Sequence, residues 1–526
     1  MKRPWLVLAL LVFALAGLTL PGFGADAPPC APFEVKGRTK SVNAVDTAVQ
    51  RALRKHRITP ALPCSDEVFV RRVYLDVIGT LPTPDEVRSF MKNRKKDKRE
   101  KLIEALLVRP EFADYWSLKW CDLLRVKAEF PINLWPNAVQ AYHRWVRDSI
   151  RRNKPYDRFA RELLTSSGSN FRVPAVNFYR AVQSRQPSGL AQAAALTLMG
   201  SRIETWPRDR QQGAATFFSR VAYKRTLEWK EEIVHLGPPP DGAIRTVFPD
   251  GTPAMIAPNE DPRRLFADWL IRPENEWFTA NIVNRVWYWL MGRGIVMEPD
   301  DLRPDNPPSN PDLMKTLSKE LVKAKYDLRS LYRLILNSAT YQQSPVPRST
   351  RPQTEEQFGH YIVRRLPAEV LIDALCAITG TTEKYVSAIP EPFTFVPQEQ
   401  KTIALSDGSI SSPFLEMFGR PARDTGLEGE RNNRPTGSQR LHLLNSRDIQ
   451  TRIERGPRLA MLLLEARAKP GSAVNEIYLL ILSREPTAAE KKAVETYART
   501  AGLGLKQVAD DLVWALINSK EFLYRH

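Results

Sequence analysis

The sequence predicts a mainly α, multi-helical protein of two domains, with a small β-hairpin or irregular insertion between them. Three observations predict it. Apolar residues recur at helical spacing through most of the chain, as in Phe69, Val73 and Val77. A helix-start phrase occurs at both ends: Tyr74-Leu75, Pro82-Thr83-Pro84-Asp85-Glu86 and Glu111-Phe112 reappear as Tyr478-Leu479, Pro486-Thr487-Ala488-Ala489-Glu490 and Glu521-Phe522. Only residues 231–256, with Pro238 to Pro240 and an Asp250-Gly251 turn between apolar residues, carry a clear hairpin signal.

Taken in order, residues 1–24 read as a signal peptide. Lys2 and Arg3 precede an apolar run from Leu6 to Leu20, and Gly22-Phe23-Gly24 supplies small residues for cleavage before Ala25. Residues 25–43 form a linker, and 44–230 a first helical domain. Its first helix spans 41–57, and a second starts near Ser65. Gly79 and Pro82 stop that helix; Thr83, Pro84 and Glu86 then cap and start the next. Residues 97–125 read as two helices broken at Pro110. The stretch from Trp135 to Arg152 is amphipathic, with Trp135, Val139, Tyr142, Trp145 and Val146 on one side, and 188–200 is Ala-rich.

Residues 231–260 form the linker with its hairpin, and 261–526 a second helical domain. Glu276 to Met291 is the most apolar helix after the leader, with Asn281, Asn284 and Arg285 embedded in it. Residues 384–411 look irregular, with short strands near Phe393 to Val396. Residues 470–526 carry the second copy of the repeat.

Composition bounds the function. With 43% hydrophobic and 26% charged residues, and with 12 Trp, 15 Tyr and 21 Phe, the chain of 526 residues can build a large core. Net charge is +18. Export makes nucleic acid a poor partner for that charge and favours an anionic glycan or an acidic protein surface. No later segment is long and apolar enough to span a bilayer, so localisation is expected to be secreted, periplasmic or at the cell envelope.

The four cysteines allow three pairings in an oxidising compartment. Cys30 and Cys64 share a Pro-Cys context and are the pair to consider for a disulfide; buried free thiols fit Cys121 and Cys376. There is no Cys-x-x-Cys, so haem attachment and a zinc ribbon are not expected. The six histidines include no i, i+4 pair, which leaves zincin-like metal binding unsupported. Nucleophile-elbow, P-loop and dinucleotide fingerprints are missing.

Two polar constellations remain. Arg420, Arg423, Glu428, Glu430 and Arg431 cluster in a polar, Gly-rich stretch. Glu428 and Glu430 would face one side of an extended segment, where paired carboxylates can hold a cation or transfer protons. The structural alternative is an ion-paired loop pinning two domains. Asn284 and Arg285 form the second constellation; so apolar a helix demands a partner for Arg285, among Asp268, Asp300 and Asp301.

Beyond these local readings, Asp66 to Gly79 followed by Leu81-Pro82-Thr83-Pro84 resembles the signature of a planctomycete-type secreted family. That family carries tandem domains of unknown function, 1549 then 1553. Asn281 to Trp287, Asp327 to Tyr341, Arg365 to Glu369, Phe418 to Pro421, Leu441 to Asn445 and Leu516 to Phe522 resemble its second domain. The resemblance covers about residues 45 to 526. It implies a secreted, mostly helical protein, often encoded beside a sulfatase-like protein of the alkaline-phosphatase superfamily, and no established reaction.

The chain departs from the family pattern. Many relatives carry an N-terminal cytochrome-like module and a Cys-x-x-Cys-His-x-His-Pro stretch, where Gly200 to Pro207 here hold neither thiol nor imidazole. Leu427-Glu428-Gly429-Glu430-Arg431 replaces a Cys-Glu-Cys-Glu-Arg run. The sequence therefore leads to a non-catalytic assembly protein without a haem cofactor or metal, and with a protein partner. The alternative is an enzyme or binding protein for sulfated or anionic polysaccharides.

Overall fold

A computed structural model describes residues 28–526, apart from 38 and 467–469. The predicted signal peptide lies outside the described residues. Helix accounts for 51% of the chain and strand for 7%, which makes the protein mainly α. No helix among the described residues is long and apolar enough to cross a membrane.

The helix Asp66–Val77 is central. The sequence shows an apolar stripe, yet the structure buries all residues from Val68 to Val77, including Arg71, Arg72 and Asp76. A helix surrounded by protein must give each buried charge a partner. Arg72 Nη1 donates to the carbonyls of Tyr341 and Gln343 at 2.6 and 2.8 Å. Asp76 accepts from Tyr341 and Tyr361 hydroxyls at 2.9 and 2.8 Å, and from Arg364 and Arg525 at 3.1 and 2.6 Å. Those partners lie more than 260 residues away.

Pro110 opens the helix Pro110–Leu123 at its first position, where a missing N–H costs nothing. Pro136 does the same for Pro136–Arg151, and this moves Trp135 out of the apolar face expected for it. Trp135 precedes a proline, which is excluded from helical geometry, and sits at φ 72°. After the helix Pro187–Ala194, one π-helical turn, Ala195–Met199, ends at Gly200. Gly200 has φ +60°, and a Cβ there would lie 2.6 Å from Asn281 Oδ1.

The β structure is larger than the sequence suggests. Strands β1 (Gly168–Ser169), β2 (Val221–Arg225) and β3 (Glu232–Leu236) form an antiparallel sheet in the order β1-β3-β2. Strands β4 (Ile244–Val247) and β5 (Pro253–Ile256) form the hairpin around Asp250-Gly251. The first hairpin begins at Val221, inside the expected helical range, because its 226–231 turn lacks the short Gly-containing signal that marks the second. Near Phe393 there is no strand; the 384–411 segment has one bridge, Val386 to Ser411, and a 3-10 turn, Thr402–Ala404.

The two halves share one hydrophobic core. Trp116 meets Trp289 at 5.4 Å and Tyr332 at 4.5 Å, and Tyr156 stacks on Phe278 at 4.6 Å. Glu276–Met291 supplies its central wall.

The repeated phrase builds the same device twice. Thr83 and Glu86 close a capping box on Pro84–Lys92; Thr487 and Glu490 close one on Ala488–Ala501. An arginine then joins the cap glutamate to a second glutamate: Arg109 to Glu86 and Glu111, Arg484 to Glu490 and Glu521. Each guanidinium also lies over the repeat's tyrosine, Tyr74 at 5.7 Å or Tyr478 at 5.4 Å. The arginine occupies unrelated sequence positions in the two copies, so only space reveals the match. The copies also touch each other, through Arg71 to the Ile481 and Phe522 carbonyls and through Arg88 to Glu476.

Candidate functional site

The 420–431 segment supplies the densest charge in the interior. It lies against the helix Pro110–Leu123 of the first half and the helix Ala368–Thr379 of the second. Arg431 Nη1 donates to Glu369 Oε2 and its Nη2 to Asp122 Oδ2, both at 2.6 Å. Arg423 Nε donates to the other Asp122 oxygen at 2.9 Å, and its Nη1 donates to the Ser406 carbonyl at 3.0 Å. Arg420 donates to the carbonyls of Asp407, at 2.8 Å, and of Ile410; its Nε lies 3.9 Å from Glu369. All three guanidinium groups are buried.

Burial pushes the Glu369 carboxyl up, but the charge and hydrogen bonds of Arg431, with Arg420 and Lys119, outweigh it and hold the group at about 2. Burial draws the Arg420 guanidinium down to about 10, with repulsion from Arg423 adding to it.

The predicted carboxylate pair does not form. Glu428–Glu430 is a 3-10 turn rather than an extended segment, so the two side chains diverge. Glu430 turns back to accept from the Asp424 N–H at 3.0 Å. Glu428 faces inward, and its backbone N–H donates to Asp300 Oδ2 at 2.6 Å. Burial raises both carboxyls; Lys119 draws Glu428 back down. Lys119 is itself buried, and desolvation followed by repulsion from Arg431 lowers its ammonium pKa.

Asp300 links this cluster to the second constellation. Its Oδ1 accepts from Arg285 Nη2 at 2.7 Å, which selects it from the three expected partners. Asp268 pairs with Arg161 and Asp301 with Arg303. The π-helical turn contributes too: the carbonyls of Leu196 and Thr197 accept from Arg285 at 2.8 and 2.6 Å. Widening one turn frees carbonyls that an α-helix would use internally. Asn281 shares the Thr197 carbonyl at 3.0 Å, and Asn284 exchanges two bonds with the Val296 backbone. The Gly200 to Pro207 segment begins directly beyond this turn.

Sequence reading missed Asp122, Glu369 and Lys119. Their signal was present: each is a charge set among apolar residues in a helical run, the pattern that singled out Arg285. All four cysteines are free in the structure, Cys30 and Cys64 included. Glu34, which accepts from the Cys30 N–H at 2.9 Å, forms the backbone bridge to Cys64, so the two cysteines occupy one neighbourhood without a bond. No group of three or more His, Cys, Asp or Glu able to hold a metal ion occurs among the described residues.

A narrow cleft at the seam between the halves encloses about 30 Å³. Phe112, Trp116, Trp120, Tyr156, Phe159 and Tyr332 line it; none of the candidate site residues does. Its polar rim is engaged, with Lys154 bonded to Glu162 and Asn153 to Asp327.

Family models place this arrangement. Residues 44–219 match a protein of unknown function (DUF1549), and residues 262–498 match a protein of unknown function (DUF1553), in that order. The chain belongs to the tandem DUF1549–DUF1553 family. No curated protein and no solved structure matches it. Strands β2 to β5 fill the interval between the two matches. The charged cluster joins the matches across that interval: Lys119 and Asp122 come from DUF1549, and Glu369, Arg420, Arg423 and Arg431 from DUF1553.

Proposed function

We propose that this DUF1549–DUF1553 protein is an exported, non-catalytic assembly protein of the cell envelope, working through a protein partner. A sulfatase-like protein of the alkaline-phosphatase superfamily is the partner class that the family resemblance favours. One observation carries the reading: Arg423 and Arg431 are engaged by the buried Asp122 of DUF1549 and, through Arg431, by Glu369 of DUF1553, which ties the two together. A brace of this kind serves rigidity, and a rigid multi-helical body suits presentation of a surface.

Affinity capture of the tagged protein from envelope fractions of its native host tests the proposal. A stable partner at fixed stoichiometry supports it; repeated recovery of the protein alone rejects it. N-terminal sequencing of the captured protein tests export, with Ala25 expected as the first residue. The competing reading is an enzyme on sulfated or anionic polysaccharides that uses Glu428 and Glu430. It requires turnover that Glu428→Gln or Glu430→Gln abolishes. An absorbance spectrum without a Soret band is expected for the purified protein.

A further inference from the structure

Three loops far apart in sequence bring aromatic rings together at the surface. The 127–135 loop ends at Trp135, the β2–β3 turn carries Trp229 and Lys230, and the 390–396 turn carries Phe393. Ring centroids are 4.9 Å apart for Trp135 and Trp229, 5.5 Å for Trp135 and Phe393, and 5.2 Å for Trp229 and Phe393. Lys230 Nζ lies 4.7 Å from the Trp135 ring centre and 5.6 Å from that of Trp229.

The cluster is not a piece of core. Trp229 is 55% exposed and Phe393 42%. On the same three loops, Phe130 is 79% exposed, Phe395 67% and Leu227 fully exposed. Exposed aromatic rings in mutual contact, on loops that expose three further apolar side chains, are the kind of surface that marks an interaction site.

The platform is held in shape from beneath. Thr226 donates to Glu231 at 2.8 Å across the β2–β3 turn, and Asn170 holds the Lys230 carbonyl at 3.2 Å. Leu134 and Trp135 N–H groups close the 127–135 loop on Lys127 and Ala128, each at 3.2 Å. The Ala128 N–H is fixed by Asp407 at 3.0 Å. Trp135 keeps a left-handed backbone, φ 72°, which few non-glycine residues adopt, and which turns its ring towards the other two loops.

We infer that this triad is a binding platform for an anionic polysaccharide, with sugar rings stacked on Trp229 and Phe393 and an acidic substituent against Lys230. Exposed aromatic faces accept the C–H faces of sugars while the polar edges stay in water. Lys230 is exposed and enters no ion pair among the described residues, so its charge is available to a sulfate or a carboxylate. Lys224 and Arg225 are exposed on the adjoining strand, and the strongly positive net charge, which remains so without Lys2 and Arg3, attracts an acidic polymer at long range. This inference stands apart from the assembly role: partner capture can fail while glycan binding holds, and the reverse.

Affinity electrophoresis of the full protein in gels containing a sulfated polysaccharide, a polyuronate or neutral dextran tests the inference. Retention by either acidic polymer and not by dextran is expected; retention by one acidic polymer alone identifies sulfate or carboxylate as the recognised group. Trp229→Ala and Phe393→Ala should each weaken retention about tenfold, and Trp229→Phe should keep most of it. Lys230→Gln should weaken retention in a salt-dependent way. These positions are exposed, so unchanged thermal melts are expected for all four variants; Phe395→Ala serves in place of any that melts early. No retention by either acidic polymer, or retention that the ring variants leave intact, overturns the inference. Binding of phosphatidylcholine vesicles that depends on Trp229, with no glycan retention, overturns it in favour of a lipid surface.

Discussion

Arg71 in the first copy of the repeat donates its Nη2 hydrogen to the carbonyl of Phe522 in the second, at 3.0 Å and 451 residues away. Its Nη1 takes the Ile481 carbonyl at 2.7 Å. Arg71 is fully buried, and burial draws its guanidinium down to about 10, with Glu521 pulling it back up. The two copies of the repeat are thus joined by a buried cation on the helix Asp66–Val77, beside the pairing of Asp76 with Arg525.

Replacing that cation tests the stitch. Arg71→Leu leaves two buried carbonyls without a donor, and a loss of about 2–4 kcal/mol is expected in urea unfolding. A midpoint equal to that of the parent protein would show that the contact contributes nothing.

Arg431→Met strips Asp122 and Glu369 of their main counter-charge. Breaking a buried pair on one side costs about 3–5 kcal/mol. Differential scanning calorimetry should show a clearly lower transition temperature. Replacing Asp122, Glu369 and Arg431 together by apolar residues of similar size should recover little of the loss, because the buried Arg423 then loses Asp122 and the buried Arg420 loses Glu369.

Acid should undo the same clamp. Glu369 is held at about 2 against an ordinary 4.5. A depressed carboxylate stabilises the fold above its unfolded value, and that contribution fades as pH falls from 4.5 towards 2. Unfolding followed by circular dichroism should steepen over that window in the parent and flatten in Glu369→Gln.

Asp373 gives the opposite slope. Burial raises it to about 6, although N–H groups of Thr402 and Ile403 donate to it at 2.8 and 3.0 Å and pull it down. A raised carboxyl favours the fold below 3.8, and that advantage is lost as pH climbs through 6. Asp373→Asn should therefore gain stability relative to the parent steadily between pH 4 and 6.5, read as a rising difference in urea midpoint. A difference independent of pH would show that Asp373 titrates alike in the folded and unfolded chains.

The repeat offers an internal control. Thr83→Ala and Thr487→Ala each remove one side of a capping box, and each should cost about 1 kcal/mol. Because the boxes are alike, the two losses should agree; a large disparity would show that Arg109 and Arg484 support them unequally.

The sequence by itself determined the elements that depend on near neighbours. Thr83, Pro84 and Glu86 declare a helix start because capping acts over three residues, and Asp250-Gly251 declares a turn because Gly251 takes a positive φ of 88°. The charge on Arg285 announced a buried partner and narrowed it to three aspartates. Tertiary structure decided what depends on distance in space. It chose Asp300, turned Glu430 away from Glu428, and drew Trp135 out of its helix face towards Trp229 and Phe393. It also gave Arg109 and Arg484 one role from unrelated positions. Local chain geometry is written residue by residue, whereas a buried charge is satisfied by whichever group packing brings within about 3 Å, and no spacing along the chain specifies that group.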